Sequence, residues 1–171
     1  MKVYFSFFFG TLLAFTVAGI FLPAMFFSEQ AEIVGRITGA AGMTVSGTPS
    51  IETVLATILT NNLRVFAATF LLSFAVSAGM VFIVVWNSSV LGLLLSDFIK
   101  GQSVSALVCL PFGIVEIAGF AIAGLAGALL SHQFGHYESR AFRIMQKDVL
   151  FLLLIGAGMI IVSGVAEAIL I

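Results

Sequence analysis

Four stretches of 18 residues or more contain no Asp, Glu, Lys or Arg: Val3 to Ser28, Val65 to Ser96, Ile117 up to Glu138, and Val149 to Ala166. A helix needs about 20 predominantly apolar residues to cross a bilayer, so each stretch is long enough, or nearly so, to span. Backbone amides and carbonyls in lipid must bond to one another, which leaves helices and closed barrels as the spanning structures. Barrel strands alternate apolar and polar residues, whereas FFFGTLLAFTVAGIFLP and FLLLIGAGMIIVSGV are apolar on all sides. The pattern predicts an all-α, polytopic transmembrane helical bundle, with residues 1–171 forming a single membrane domain.

The punctuation between these stretches predicts about five membrane segments. The first runs from about Val3 to Phe27, with Ser6, Gly10, Ala14 and Ala18 on a face where another helix could approach closely. The polar, Gly-rich residues 28–50 read as an extracytoplasmic loop. Thr48 and Pro49 then have the form of a helix N-cap and first-turn proline. Ile51, Val54, Leu55, Ile58 and Leu59 recur with helical period opposite Glu52, Thr53, Thr57 and Thr60, which predicts an amphipathic interfacial helix over 49–62. It ends at Asn61 and Asn62, and a second span follows from Leu63 to about Trp86, with Arg64 and Trp86 as interfacial anchors. Asn87, Ser88 and Ser89 read as a break, leaving Val90 to Phe98 as a third helix of only about 14 to 18 Å. That is short of a hydrocarbon core of about 30 Å. The fourth segment carries Pro111, which removes a backbone donor and predicts a kink. A re-entrant third segment is the rival arrangement.

Composition sharpens the picture. The chain is 61% hydrophobic and 9% charged, whereas soluble domains carry about a quarter of their residues as charged side chains. Its net charge of −1 offers no field for nucleic acid. Cys109 is the single cysteine, so no disulfide can form within the chain, and its apolar surroundings predict an unreactive buried thiol. The basic linker 132–148 carries Arg140, Arg143 and Lys147. Short basic loops favour the cytoplasm, and these side chains suit anionic lipid headgroups. Five crossings in a cell membrane then place the N-terminus and this linker in the cytoplasm.

Glu116 lies well inside the fourth segment, where a carboxylate must be protonated, paired or hydrated. Gly113, Gly119, Ala123 and Gly127 share roughly its face, which suits close packing or the lining of a cavity. The candidate intramembrane polar site comprises Asn61, Asn62, Asn87, Asp97, Pro111, Gly113, Glu116 and Glu167. Within it, Asn61 and Asn62 are suited to satisfying backbone groups at a bend, and Asp97 with Lys100 to a local pair. Glu167 is expected to snorkel, although Gly156, Ser163 and Glu167 trace a face that could join Glu116. Thr69, Ser73 and Ser77 are expected to bond carbonyls of their own helix. His132 and His136 have the spacing of metal ligands on a helix, but two ligands do not make a site, and an interfacial helix end is expected. No phosphate loop, Gly-x-Ser-x-Gly elbow or zinc-protease motif occurs, and no cofactor or metal is expected. The chain therefore reads as non-enzymatic.

With these residues in view, the chain resembles the stage II sporulation protein M family. The similarity rests on ILTNNLRVF (Asn61, Asn62), VWNSSVLGLLL (Asn87, Gly92), LPFGIVEIAG (Pro111, Gly113, Glu116, Gly119) and the terminal VAEAILI (Glu167). Phe112 departs from the family's LPHG-like pattern, which carries histidine there. The resemblance implies a membrane anchor, since the namesake branch anchors peptidoglycan-remodelling enzymes during engulfment. The reading is a scaffold for other membrane or envelope proteins, open to homo-oligomerisation. Its alternative is a small transporter or channel that uses the polar site around Glu116.

Topology is tested by single cysteines at Ser46, Gly101 and Gln133 in a Cys109→Ala background. Membrane-impermeant maleimide should reach the first two only from outside and the third only from the cytoplasm; external labelling at position 133 would favour the re-entrant arrangement.

Overall fold

A computed structural model of the chain describes residues 2–42, 50–76, 78–101, 105–133 and 139–170. The described residues form helices α1 (Lys2–Phe21), a short 3-10 turn (Ala24–Phe27), α2 (Ser28–Gly42), α3 (Ile51–Ala75), α4 (Gly79–Ile99), α5 (Ser105–Gln133) and α6 (Ser139–Leu170), with no strand among them. Four segments are long and apolar enough to cross a membrane: Ile51–Ala75, Gly79–Ile99, Val108–His132 and Met145–Leu170. Ser6–Phe21 is a shorter apolar helix beside them. The protein is a multi-pass helical membrane protein.

The packing contacts establish the helix directions. Thr11 meets Ser88, Gly92 meets Leu12 and Phe15, and Gly19 meets Ser96, so α1 and α4 run parallel. Asn62 meets Glu116, and Phe74 and Ser73 meet Gly127, so α3 and α5 also run parallel. Leu91 against Gly113 and Met80 against Gly124 make α4 antiparallel to α5, and Ser163 against Phe112 with Ile160 against Gly119 makes α6 antiparallel to it. Lys2 and the connection from α5 to α6 therefore share one end of the bundle. The opposite end, called here the distal end, holds the start of α3, the connection from α4 to α5, and the end of α6.

At the centre, α4 is buried at every position from Ser88 to Leu94. A helix enclosed on all sides cannot present a polar face to water, so its polar side chains must bond inside the protein. Asn87 Nδ2 donates to the Ile83 carbonyl at 2.8 Å, Ser88 Oγ to Val85 at 3.0 Å and Ser89 Oγ to Trp86 at 2.7 Å. Ser88 also shares a hydrogen bond of 2.7 Å with Thr11 of α1. The break expected at Asn87–Ser89 is therefore helix interior, and the third membrane segment is full length rather than short. The turn lies ten residues earlier, after Val76 closes α3 with its amide on the Leu72 carbonyl. A Cβ on Gly79 would stand 2.6 Å from the Leu72 backbone, so this reversal needs glycine. Gly101 (φ 70°) ends α4 in the left-handed conformation.

Four further expectations change. Residues Ser28–Gly42 of the expected loop are helical, and α2 packs on α4 and α5 with Val34 buried. The helix expected to end at Asn62 continues into the second span as one rod, α3. It is capped by Ser50, whose Oγ accepts from the Thr53 amide at 3.3 Å, while Thr48 and Pro49 lie outside the described residues. The apolar Ile58 and Leu59 of this rod pack on Gly164 of α6. Arg64 and Trp86 consequently lie inside the continuous helices α3 and α4 rather than at helix ends. On α1, Ser6, Gly10 and Ala14 face outward, and the packing face is instead Phe8, Thr11, Leu12, Phe15, Thr16 and Gly19.

Glycine placement makes a sharp prediction. A Cβ on Gly92 would stand 2.8 Å from the Leu12 carbonyl oxygen and 3.0 Å from the Thr16 amide nitrogen, whereas one on Gly10 meets nothing within 4 Å. Gly92→Ala should destabilise the bundle by about 1–3 kcal/mol in denaturant titrations of the micelle-solubilised protein, and Gly10→Ala should leave it unchanged.

Candidate functional site

The distal half of the bundle gathers its interior polar groups at the junction of α3, α5 and α6. Asn62 is 8% exposed and points inward from α3, because the face carrying Phe66, Thr69 and Ser73 is the buried one. Its Nδ2 donates to Oε1 of Glu116 on α5, while its Oδ1 accepts from Nδ2 of the exposed Asn61 at 3.3 Å. The two adjacent amides thus lead from the outer surface of α3 to an interior carboxyl. They lie within a continuous helix rather than at a bend, and Asn62 links α3 to α5.

Glu167, half-buried on α6, lies within electrostatic range of Glu116, and Cys109 lies within range of both. One turn before Glu167, Ser163 Oγ donates to the carbonyl of Phe112 at 3.2 Å, which ties α6 to α5 beside Pro111. Glu167 therefore lies close enough for its charge to act on Glu116. The sequence carried this signal in the shared face of Gly156, Ser163 and Glu167, but helical spacing alone does not say which neighbour that face meets. Cys109 is buried and free, within electrostatic range of both carboxyls. With two carboxyls, a thiol and an amide, the cluster can accept and donate hydrogen bonds and hold a proton. Among the described residues no group of three His, Cys, Asp or Glu side chains is placed to hold a metal.

The remaining candidates lie elsewhere. Asn87 bonds within α4, and Gly113 packs on the Leu91 side chain. Pro111 is exposed on α5 and Asp97 is half-buried near the end of α4. Lys100 does not bridge to Asp97; its Nζ donates to the Gly19 carbonyl, one of the last carbonyls of α1 that its own helix leaves unpaired. Thr69 Oγ1 bonds the Val65 carbonyl at 2.7 Å, as expected, but Ser73 Oγ is buried without a partner among the described residues, and Ser77 lies outside them. His132 is exposed at the end of α5, and His136 lies outside the described residues, as do the side chains of Arg140 and Arg143.

The Asn62–Glu116 bond can be tested by a double-mutant cycle. Glu116→Leu orphans the buried Asn62 amide and should cost about 1–2 kcal/mol, and Asn62→Leu should cost a similar amount. The double substitution should cost clearly less than the sum in equilibrium unfolding, while Glu116→Gln, which keeps an acceptor oxygen, should be nearly neutral.

The Stage II sporulation protein M family model matches residues 4–170, nearly the whole chain. No curated protein and no solved structure matches it. The match includes the amide pair, the Glu116 segment and the terminal Glu167, which the fold draws together, and the chain belongs to the stage II sporulation protein M family.

Proposed function

We propose that this protein is a non-enzymatic membrane scaffold or anchor for partner membrane or envelope proteins. It sits in the cell membrane with its N-terminus and the 132–148 linker on the cytoplasmic side. The observation that carries this reading is the engagement of Glu116, the deepest carboxyl of the cluster, by Asn62 across the α3–α5 interface. A carboxyl held in this way fastens helices together, which is what a rigid platform needs. Family membership supports the same reading. So does the outer face of α1, where Ser6, Gly10 and Ala14 are exposed and a Cβ on Gly10 would meet nothing. Small residues let a partner helix approach closely in lipid.

One observation favours transport as a second reading. Two carboxyl-bearing residues, Glu116 and Glu167, share the cluster, and Asn61 brings its polar edge to the surface. Ionisable groups inside a membrane commonly mark ion or proton pathways.

The readings are separated by two measurements. Proteoliposomes containing the wild type should show no proton, cation or small-anion flux above protein-free vesicles; flux abolished by Glu116→Gln in a folded protein would establish transport. Crosslinking in native membranes should recover a partner in fixed stoichiometry, with yield falling at least severalfold in Gly10→Leu.

A further inference from the structure

Helices that face lipid expose large apolar side chains, as Leu13 and Phe21 do on α1, Phe82 on α4, and Phe151 and Val162 on α6. The exposed face of α3 is built differently. Arg64 stands on it with Thr53, Ala56, Thr57, Thr60, Ala67 and Ala68, all exposed and within about 80° of Arg64 around the helix. Of the four candidate spans, α3 is both the least apolar and the least buried within the chain. The Arg64 guanidinium has five donors and meets no acceptor among the described residues.

Helix register sets the depth of this charge. Asn62 lies opposite Glu116 and Ser73 opposite Gly127, so Arg64 is level with Ala118 of α5. The next residue, Gly119, meets Gly156 and Ile160 of α6, which puts Arg64 near the level of Gly158, in the middle of the charge-free stretch Val149 to Ala166. About 15 Å of hydrocarbon, half of the core, separates that level from either headgroup layer. Lipid phosphate is beyond the reach of one side chain from there, and an arginine at this depth pairs with another protein group.

From this geometry we infer that α3 docks a transmembrane helix of a partner protein that carries an aspartate or glutamate near its middle, paired with Arg64. Any protein segment at this depth must be helical, because lipid supplies no partner for its backbone. A carboxylate suits the guanidinium, since it accepts two parallel hydrogen bonds and cancels the charge. The threonines and alanines on either side let the partner's backbone come close, and the hydroxyls can join hydrogen bonds across the contact. Charge argues against a second copy as the occupant. Two copies inserted in one direction and packed along this face would set guanidinium against guanidinium, a repulsive juxtaposition. The inference rests on the scaffold reading, for which it names a class of partner and a docking face on a different helix from the small-residue face of α1.

The test is photocrosslinking of the full chain with p-benzoylphenylalanine in place of Leu71, which is exposed about two turns beyond Arg64 on the same face. In proteoliposomes the probe is a synthetic transmembrane peptide of leucine and alanine with one aspartate at its centre. It should crosslink about tenfold more than the same peptide with leucine there, the effect of one charged hydrogen-bonded pair. That preference should vanish in Arg64→Leu, persist in Arg64→Lys, and weaken severalfold in Ala68→Leu, which fills the face. Arg64→Leu breaks no bond within the chain, so the thermal midpoint of the chain alone should not fall. Equal crosslinking of the two peptides, a preference that survives Arg64→Leu, or a lowered midpoint would overturn the inference. In native membranes the segment crosslinked at position 71 should be a transmembrane helix with a central Asp or Glu. A segment without one, or a second copy of this chain, would overturn the inference alone, and the scaffold reading would stand if a partner is still recovered through the α1 face. Recovery of no protein at either face would overturn both.

Discussion

A carboxyl placed between transmembrane helices has to find a donor on another helix, because neither lipid nor its own backbone supplies one. In this protein Glu116 finds Asn62, and much of the distal half is arranged around that bond. It fastens α3 to α5; Ser163 fastens α6 to the same turn of α5, and Glu167 and Cys109 lie within electrostatic range of the carboxyl. Lipid cannot drive apolar helices together as water would, so close backbone approach and such polar links carry the association. The glycines show the first of these directly: Gly119 and Gly156 let α5 and α6 meet at their backbones.

The same economy explains α4. Its central residues are enclosed by protein, and its asparagine and serines are satisfied mainly by the helix that carries them, with Thr11 adding one bond from α1. The polar content of the bundle therefore falls into two kinds. Groups near the middle of α4 close on themselves and make a rigid rod, whereas Asn62, Glu116 and Ser163 reach between rods. The second kind accounts for a cluster at one end of the molecule. The polar outer face of α3 belongs to neither kind, since Arg64 finds no acceptor among the described residues.

Polar residues inside this bundle do not mark chain breaks. Asn87, Ser88 and Ser89 look like a turn in a soluble protein, but in lipid each bonds a carbonyl three or four residues back and the helix runs on. The true reversal, Val76 to Gly79, contains no residue as polar as asparagine and is marked only by a glycine needed for close backbone approach. Likewise, Ser6, Gly10 and Ala14 form a regular small-residue stripe, yet α1 packs through the neighbouring face bearing Thr11 and Gly19, where glycine and hydroxyl positions on α4 match it.

By itself, the order of residues determined that the chain is helical and membrane-spanning and that Glu116 lies inside a span, because those conclusions depend on hydrophobic length and on the cost of a carboxyl in lipid. Family membership was also legible in the Asn61–Asn62, Pro111–Gly119 and terminal Glu167 segments. Only the tertiary structure decided that Glu167 comes within electrostatic range of Glu116, that Lys100 caps α1 rather than pairing with Asp97, and that Asn87 stays within its own helix. Helical periodicity states which residues share a face. Which neighbour that face meets, and at what depth, depends on how separate helices pack against one another.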